Sequence, residues 1–158
     1  MLSKIYRNGG DKIMSLFPND FYNNKIDNVK ETEIPLLKDY AIDLDTGEVI
    51  LNELGQAAIV SGIDAVIAQA YRKIHTDKGR YIIYSSNYGS EFKNLIGKGK
   101  SYGDTYAYQM LVDCLVDNKY VIGISDFYTT LEESKYSINF TMNSIYGDYS
   151  DSFYVDLD

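Results

Sequence analysis

The chain has 158 residues, 45% of them hydrophobic, and a net charge of −8; it is long and apolar enough to bury a core, which excludes wholesale disorder. No run of about 18 apolar residues is present and the N-terminus lacks a charged-then-apolar leader pattern, so a soluble cytoplasmic product is expected. The single Cys114 excludes an internal disulfide, and without a Cys/His cluster neither a metal nor a cofactor is expected.

The charge is unevenly placed. Residues 101–158 hold only Lys119 and Lys135 against ten Asp and Glu, which argues against nucleic acid as a partner. This acidic third is read as a solvated face, or as a surface that steers a basic partner. Sixteen tyrosines and no tryptophan give many apolar bodies with a polar tip, a combination favoured at protein–protein contacts as well as in cores.

Residues 1–35 show no sustained periodicity. Breaker signals at Asn8-Gly9-Gly10, Pro18-Asn19-Asp20 and Asn23-Asn24 predict an extended N-terminal arm ordered by its contacts, or a disordered leader. Residues 36–147 then carry the main domain, and 148–158 a C-terminal edge strand or tail. Asp39–Leu44 and Val49–Leu51 predict a β-hairpin around Asp45-Thr46-Gly47-Glu48. The D-x-D-x-G run there invites a calcium loop, but Gly47 and Leu54 fall in the wrong register for one, so a tight turn is expected.

Ser61 and Asp64 stand in capping-box spacing ahead of a helix. Ile63, Val66, Ile67, Ala70, Tyr71 and Ile74 form its apolar stripe, which can contribute on the order of 10 kcal/mol gross. Gly79 supplies a positive-φ turn. Arg80–Tyr84 reads as a strand covered on both faces, and a short helix carries Phe92, Leu95 and Ile96. Gly97-Lys98-Gly99-Lys100 is a flexible link without phosphate-loop spacing.

Ser101 and Asp104 open a second helix with Ala107, Met110, Leu111, Cys114 and Leu115 on its stripe; Cys114 is read as a small core residue. Tyr120–Thr130 and Lys135–Tyr146 predict two strands joined by a turn at Leu131–Ser134. In the second, Tyr136, Ile138, Phe140 and Met142 alternate with polar residues, so one face is wet. Gly147–Ser152 breaks the pattern, and Phe153, Val155 and Leu157 alternate in a final strand able to pair with another chain. The fold class is α+β: a small mixed or antiparallel sheet packed with two main helices and a short third.

No catalytic signal rises above background. His75 has Asp77 two residues on, yet it reads as a charge at a helix C-terminus, and no G-x-S-x-G elbow accompanies it. Glu91, Asp104 and Asp113 are the carboxylates a glycoside hydrolase would need, but nothing in their spacing selects them.

Thr76-Asp77-Lys78-Gly79-Arg80-Tyr81-Ile82-Ile83-Tyr84 and Asn87-Tyr88-Gly89-Ser90-Glu91-Phe92, with the order of elements over about residues 36–146, resemble the baseplate-wedge, or sheath-initiator, family of contractile phage tails. The likeness is greatest to versions from prophages and phage-tail-like bacteriocins of Gram-positive bacteria. It implies a non-enzymatic subunit around the tail tube, in a six-fold assembly, that binds other baseplate wedge subunits and the tail sheath. Such a subunit is made in the bacterial host cytoplasm and ends in the baseplate of a virion or tail-like particle, with no membrane partner. Some related proteins bear a lysozyme-like label, so a peptidoglycan-cleaving hydrolase is the alternative, and a generic adaptor a third.

Many members of that family carry a Gly-Glu-Arg or Glu-Pro-Arg triplet near the turn, where it contacts the helical bundle of partner wedge proteins. Here Gly79 is followed directly by Arg80, so Asp77 or Glu91 is left to pair with Arg80. The partner-binding residues expected are Asp77, Arg80, Glu91, Phe153, Val155 and Leu157. Removing Phe153–Asp158 is expected to leave the domain folded and to abolish sheath polymerisation.

Overall fold

The computed structural model describes residues 33–132 and 135–156, and Ile34–Asp158 form a compact unit. Residues 1–32 of the expected N-terminal arm, half of the Leu131–Ser134 turn and Leu157 lie outside the described residues. The elements are β1 (Lys38–Tyr40), β2 (Ile59–Ser61), α1 (Ile63–His75), a 3₁₀ turn (Phe92–Leu95), α2 (Lys100–Leu115), β3 (Val121–Glu132), β4 (Lys135–Ser144) and β5 (Gly147–Asp156). Two antiparallel sheets result, β1-β2 and β3-β4-β5. The α+β class expected from the sequence is the one observed.

α2 places its predicted stripe in the core, whereas on α1 Ile63, Ile67 and Tyr71 stay only partly buried and Ala65 and Ala68, outside the expected stripe, are buried. Val66, Ala70 and Ile74 of α1 meet Ala107, Leu111, Cys114 and Leu115 of α2, with Phe92 and Leu95 of the 3₁₀ turn. The sheet closes this cluster with Tyr136, Ile138, Phe140 and Met142 of β4, all buried. Those four are the alternating residues that period-two patterning assigns to one face.

The helix starts differ from the expected caps. α1 begins after Gly62, at φ 64°, with no side-chain cap, and α2 begins after Gly99, also uncapped. Asp104 does other work. It accepts hydrogen bonds from Thr129 Oγ1 at 2.6 Å and Tyr136 OH at 2.8 Å, and pairs with Lys100. The carboxylate thus ties α2 to β3 and β4. One residue before it the ring of Tyr136 lies against Gly103, so close that a Cβ there would meet Cζ at 2.7 Å.

Tyrosine hydroxyls also fasten the start of the unit. Tyr120 OH donates to the Pro35 carbonyl and Tyr146 OH accepts from the Leu37 N–H, each at 3.0 Å. An ion pair between Arg72 and Asp39 joins α1 to β1. The predicted 39–51 hairpin is reduced to a turn and one bridge, Ile42 with Val49, because the main partner of β1 is β2. Its tight turn is present: the Asp43 carboxylate accepts from the N–H groups of Asp45 and Thr46, and Gly47 sits at φ 75°.

Two further expectations are corrected. Arg80–Tyr84 is not a strand; it runs through turns, with Tyr81, Ile82, Ile83 and Tyr84 exposed. β-branched and aromatic composition makes a strand only where a neighbouring strand supplies the ladder, and none lies alongside among the described residues. Gly147–Ser152 does not interrupt the sheet but belongs to β5, which pairs with β4 over ten consecutive positions. The turn at Ile145-Tyr146 brings the chains together, and pairing overrides the poor strand propensity of Gly, Asp and Ser.

Candidate assembly surfaces

Two features of the fold carry the residues expected at partner contacts. The first is the bend between α1 and the 3₁₀ turn. Its neck is closed by backbone bonds, Lys78 N–H to the Ser90 carbonyl at 2.9 Å and Ser90 N–H to the Thr76 carbonyl at 2.7 Å. The buried Ser90 hydroxyl adds a bond to the Ile74 carbonyl at 2.7 Å. Gly89 is required in this neck, since at φ 102° a Cβ would stand 2.6 Å from the Thr76 oxygen.

Beyond the neck the loop packs on its own tyrosines. Tyr84 stacks on Tyr88 at 4.2 Å and meets Tyr81 edge-on, while the Arg80 guanidinium lies over the Tyr81 ring at 5.5 Å. The tip is apolar: Ile82 is fully exposed and Ile83 85% exposed. A held neck with two bare isoleucines at the tip is the geometry of a compact surface loop that presents residues.

Charges ring the base of this bend. Asp77 pairs with Arg80 at 3.2 Å and with Lys93, and Glu91 pairs with Lys78 at 3.2 Å. The question left by the missing Glu after Gly79 therefore has an answer within the chain, because Asp77 holds Arg80. Lys93, then Arg80, keep the Asp77 carboxyl below its ordinary value. Arg80 stays more than half exposed, so most of its fixed fork of donors remains open.

The second feature is the sheet edge. β3 and β5 are both outer strands, but they differ. β3 has two register irregularities, one at Val121/Gly123 and one at Ser125/Tyr128, and Asp126 takes φ 47°. Such bulges twist an edge away from further pairing. β5 has none, and among the described residues it pairs with β4 alone.

Phe153 and Val155 stand opposite Ile138 and Tyr136, so their side chains face the core. Phe153 packs on Phe92 with ring centres 4.8 Å apart, and on Phe140. Phe153 and Val155 are thus partly buried packing residues, so removing Phe153–Asp158 would take contacts from Phe92 and Phe140 as well as an outward surface. What β5 offers outward is its backbone and its even-numbered side chains. The sequence signal for this was the alternation itself, read without knowing which half of it faces inward.

The remaining nominated groups are engaged locally. His75 Nδ1 bonds to the Tyr71 carbonyl at 2.8 Å, and its ring stacks on Tyr71. Asp113 accepts from Gln109 at 2.7 Å. A cavity of about 600 Å³ is lined by Lys73, Lys78, Asp113, Cys114 and Asp117; Glu91, Asp104 and His75 are not in its wall. Burial pushes the Cys114 thiol up to about 12, the state of an inert core thiol. Among the described residues no group of three or more His, Cys, Asp or Glu is placed to hold a metal ion.

Residues 38–147, spanning β1 through the β4–β5 turn, match the family described as contractile injection system sheath initiator. The chain belongs to that family. The match runs through the bend and both helices, so it covers the elements that carried the resemblance in the sequence. Among curated proteins no match is found. As a sheath initiator the chain is a structural component of a contractile tail, placed in sheath assembly at the baseplate. No helix among the described residues is long and apolar enough to cross a membrane.

Proposed function

We propose that this sheath initiator binds neighbouring baseplate wedge subunits through the bend and starts the sheath by lending the open edge of β5 to an incoming sheath strand. The observation that carries the reading is the asymmetry of the sheet: one edge is bulged, and the other is regular over ten positions and without a partner among the described residues. An added strand gains main-chain hydrogen bonds along such an edge. In the bend, Ile82 and Ile83 supply apolar anchors, and Asp77, Arg80 and Glu91 supply rim charges that set orientation. Copies stand in a six-fold ring around the tail tube, assembled in the bacterial host before joining the particle.

Ser152→Pro tests the edge. Proline is tolerated on an edge strand where the N–H faces away from its neighbour, and the Ser152 N–H donates to the Asp151 side chain at 2.8 Å. Particles carrying this variant should form baseplates and tubes but no sheath by electron microscopy. Normal sheaths on particles that contain the folded variant would reject the edge as the starting strand.

A further inference from the structure

The open edge also specifies the charge of what it accepts; this rests on reading β5 as the strand-accepting edge. The turn between β4 and β5 holds two residues, Ile145 and Tyr146, so Ser144 and Gly147 form a hydrogen-bonded pair. Hydrogen-bonded and non-bonded pairs then alternate along the ladder. Asp148, Ser150, Ser152, Tyr154 and Asp156 fall on the non-bonded positions, so their N–H and C=O groups point away from β4. The Ser152 N–H bond to the Asp151 carboxylate agrees with that assignment.

The same five residues carry the side chains of the outer face, because their partners Asn143, Thr141, Asn139, Ser137 and Lys135 oppose the buried set. An incoming strand therefore lies beside Asp148 at one end and Asp156 at the other, eight positions apart, with Ser150, Ser152 and Tyr154 between them. β5 contains three Asp and no Lys or Arg. Asp151 occupies an inner-face position opposite Phe140, and a charge set inward on an edge strand discourages indiscriminate pairing.

A second copy is a poor occupant. Antiparallel pairing of two β5 strands about Ser152 puts Asp148 opposite Asp156 twice over, and parallel pairing in register sets each Asp on its twin. Like charges directly across strands destabilise a sheet. We infer that the β5 edge selects an extended segment of a different chain bearing Lys or Arg opposite Asp148 and Asp156. Between them that segment carries small polar residues on the outer side and apolar residues on the side of Phe153 and Val155.

The probes are two nine-residue peptides of alternating Val and Thr, capped at both termini, one with Lys at its first and last positions and one with Glu. Each is titrated into the full-length protein while backbone amide signals and their hydrogen exchange are followed. The Lys peptide should protect the amides of Ser150 and Tyr154 and bind at least tenfold more tightly than the Glu peptide, with a preference that fades as salt rises. The double variant Asp148→Asn with Asp156→Asn should bind both peptides alike.

Equal binding of both peptides at β5 by the unaltered protein would overturn the charge selection. It would leave the strand-accepting role standing, which Ser152→Pro particles test separately. Protection at β3 instead of β5, or dimers of the free protein formed through β5, would also overturn it.

Discussion

Gly103 and Asp104 show how two adjacent residues fix the seating of α2. In an exposed helix alanine is favoured over glycine by about 1 kcal/mol, yet Gly103 lies under the buried ring of Tyr136, whose hydroxyl is bonded to Asp104. The ring has little room to yield, so Gly103→Ala should lose about 1–3 kcal/mol to overpacking, measured by denaturant unfolding. A gain in stability would mean that the helix slides freely on the sheet.

Hydrogen bonds from Thr129, then Lys100 and Tyr136, lower the Asp104 carboxyl to about 2. Asp117 is also lowered: burial opposes this, but the N–H groups of Lys119, Val121 and Tyr120 outweigh it. A carboxylate lowered in the fold contributes stability above its unfolded value, near 3.9, and loses it as pH falls through the folded one. Unfolding free energy should therefore drop as pH falls from about 4 toward 2. In Asp104→Asn that drop should be smaller and start from a less stable protein. An identical acid profile in the variant would assign the lowering elsewhere.

At the scale of elements, the proposed role of the bend predicts that assembly and folding respond separately to changes there. Its ion pairs are exposed, and such pairs contribute about 0–1 kcal/mol, so Arg80→Ala should unfold within about 1 kcal/mol of the unaltered protein. Ile82→Asp with Ile83→Asp removes no buried contact, since both side chains stand in solvent, and should leave the melting temperature unchanged. Both variants should nonetheless fail to co-purify with wedge subunits. Retained co-purification in the isoleucine pair would take the bend out of the interface.

The elements most legible in the sequence were those whose periodicity reports burial directly. The stripe on α2, the Tyr136–Met142 alternation and the Val66, Ala70 and Ile74 half of the α1 stripe returned as core. The Arg80–Tyr84 segment misled because propensity records what a residue tolerates, not whether a partner strand lies alongside. Its exposed isoleucines were signalled by breakers on both sides, Gly79 and Ser85-Ser86-Asn87. β5 was recognised only in its apolar half, because Asp148–Ser152 carries its strand character in pairing rather than in composition. Asp104 was visible as a residue of interest, but its partners Thr129 and Tyr136 lie 25 and 32 positions away. No local rule links them.

At the scale of the molecule, the acidic third found in the composition includes the three-stranded sheet, and three of its carboxylates fall on β5, whose outer edge has no partner among the described residues. A regular edge, a bulged edge and a clamped apolar bend are the features on which the proposed assembly role rests. A density map of the assembled particle at side-chain resolution tests this most directly. The account predicts a strand from another chain about 4.8 Å from β5, with basic side chains beside Asp148 and Asp156. A β5 edge left in solvent, or a foreign strand laid on β3 instead, would contradict it.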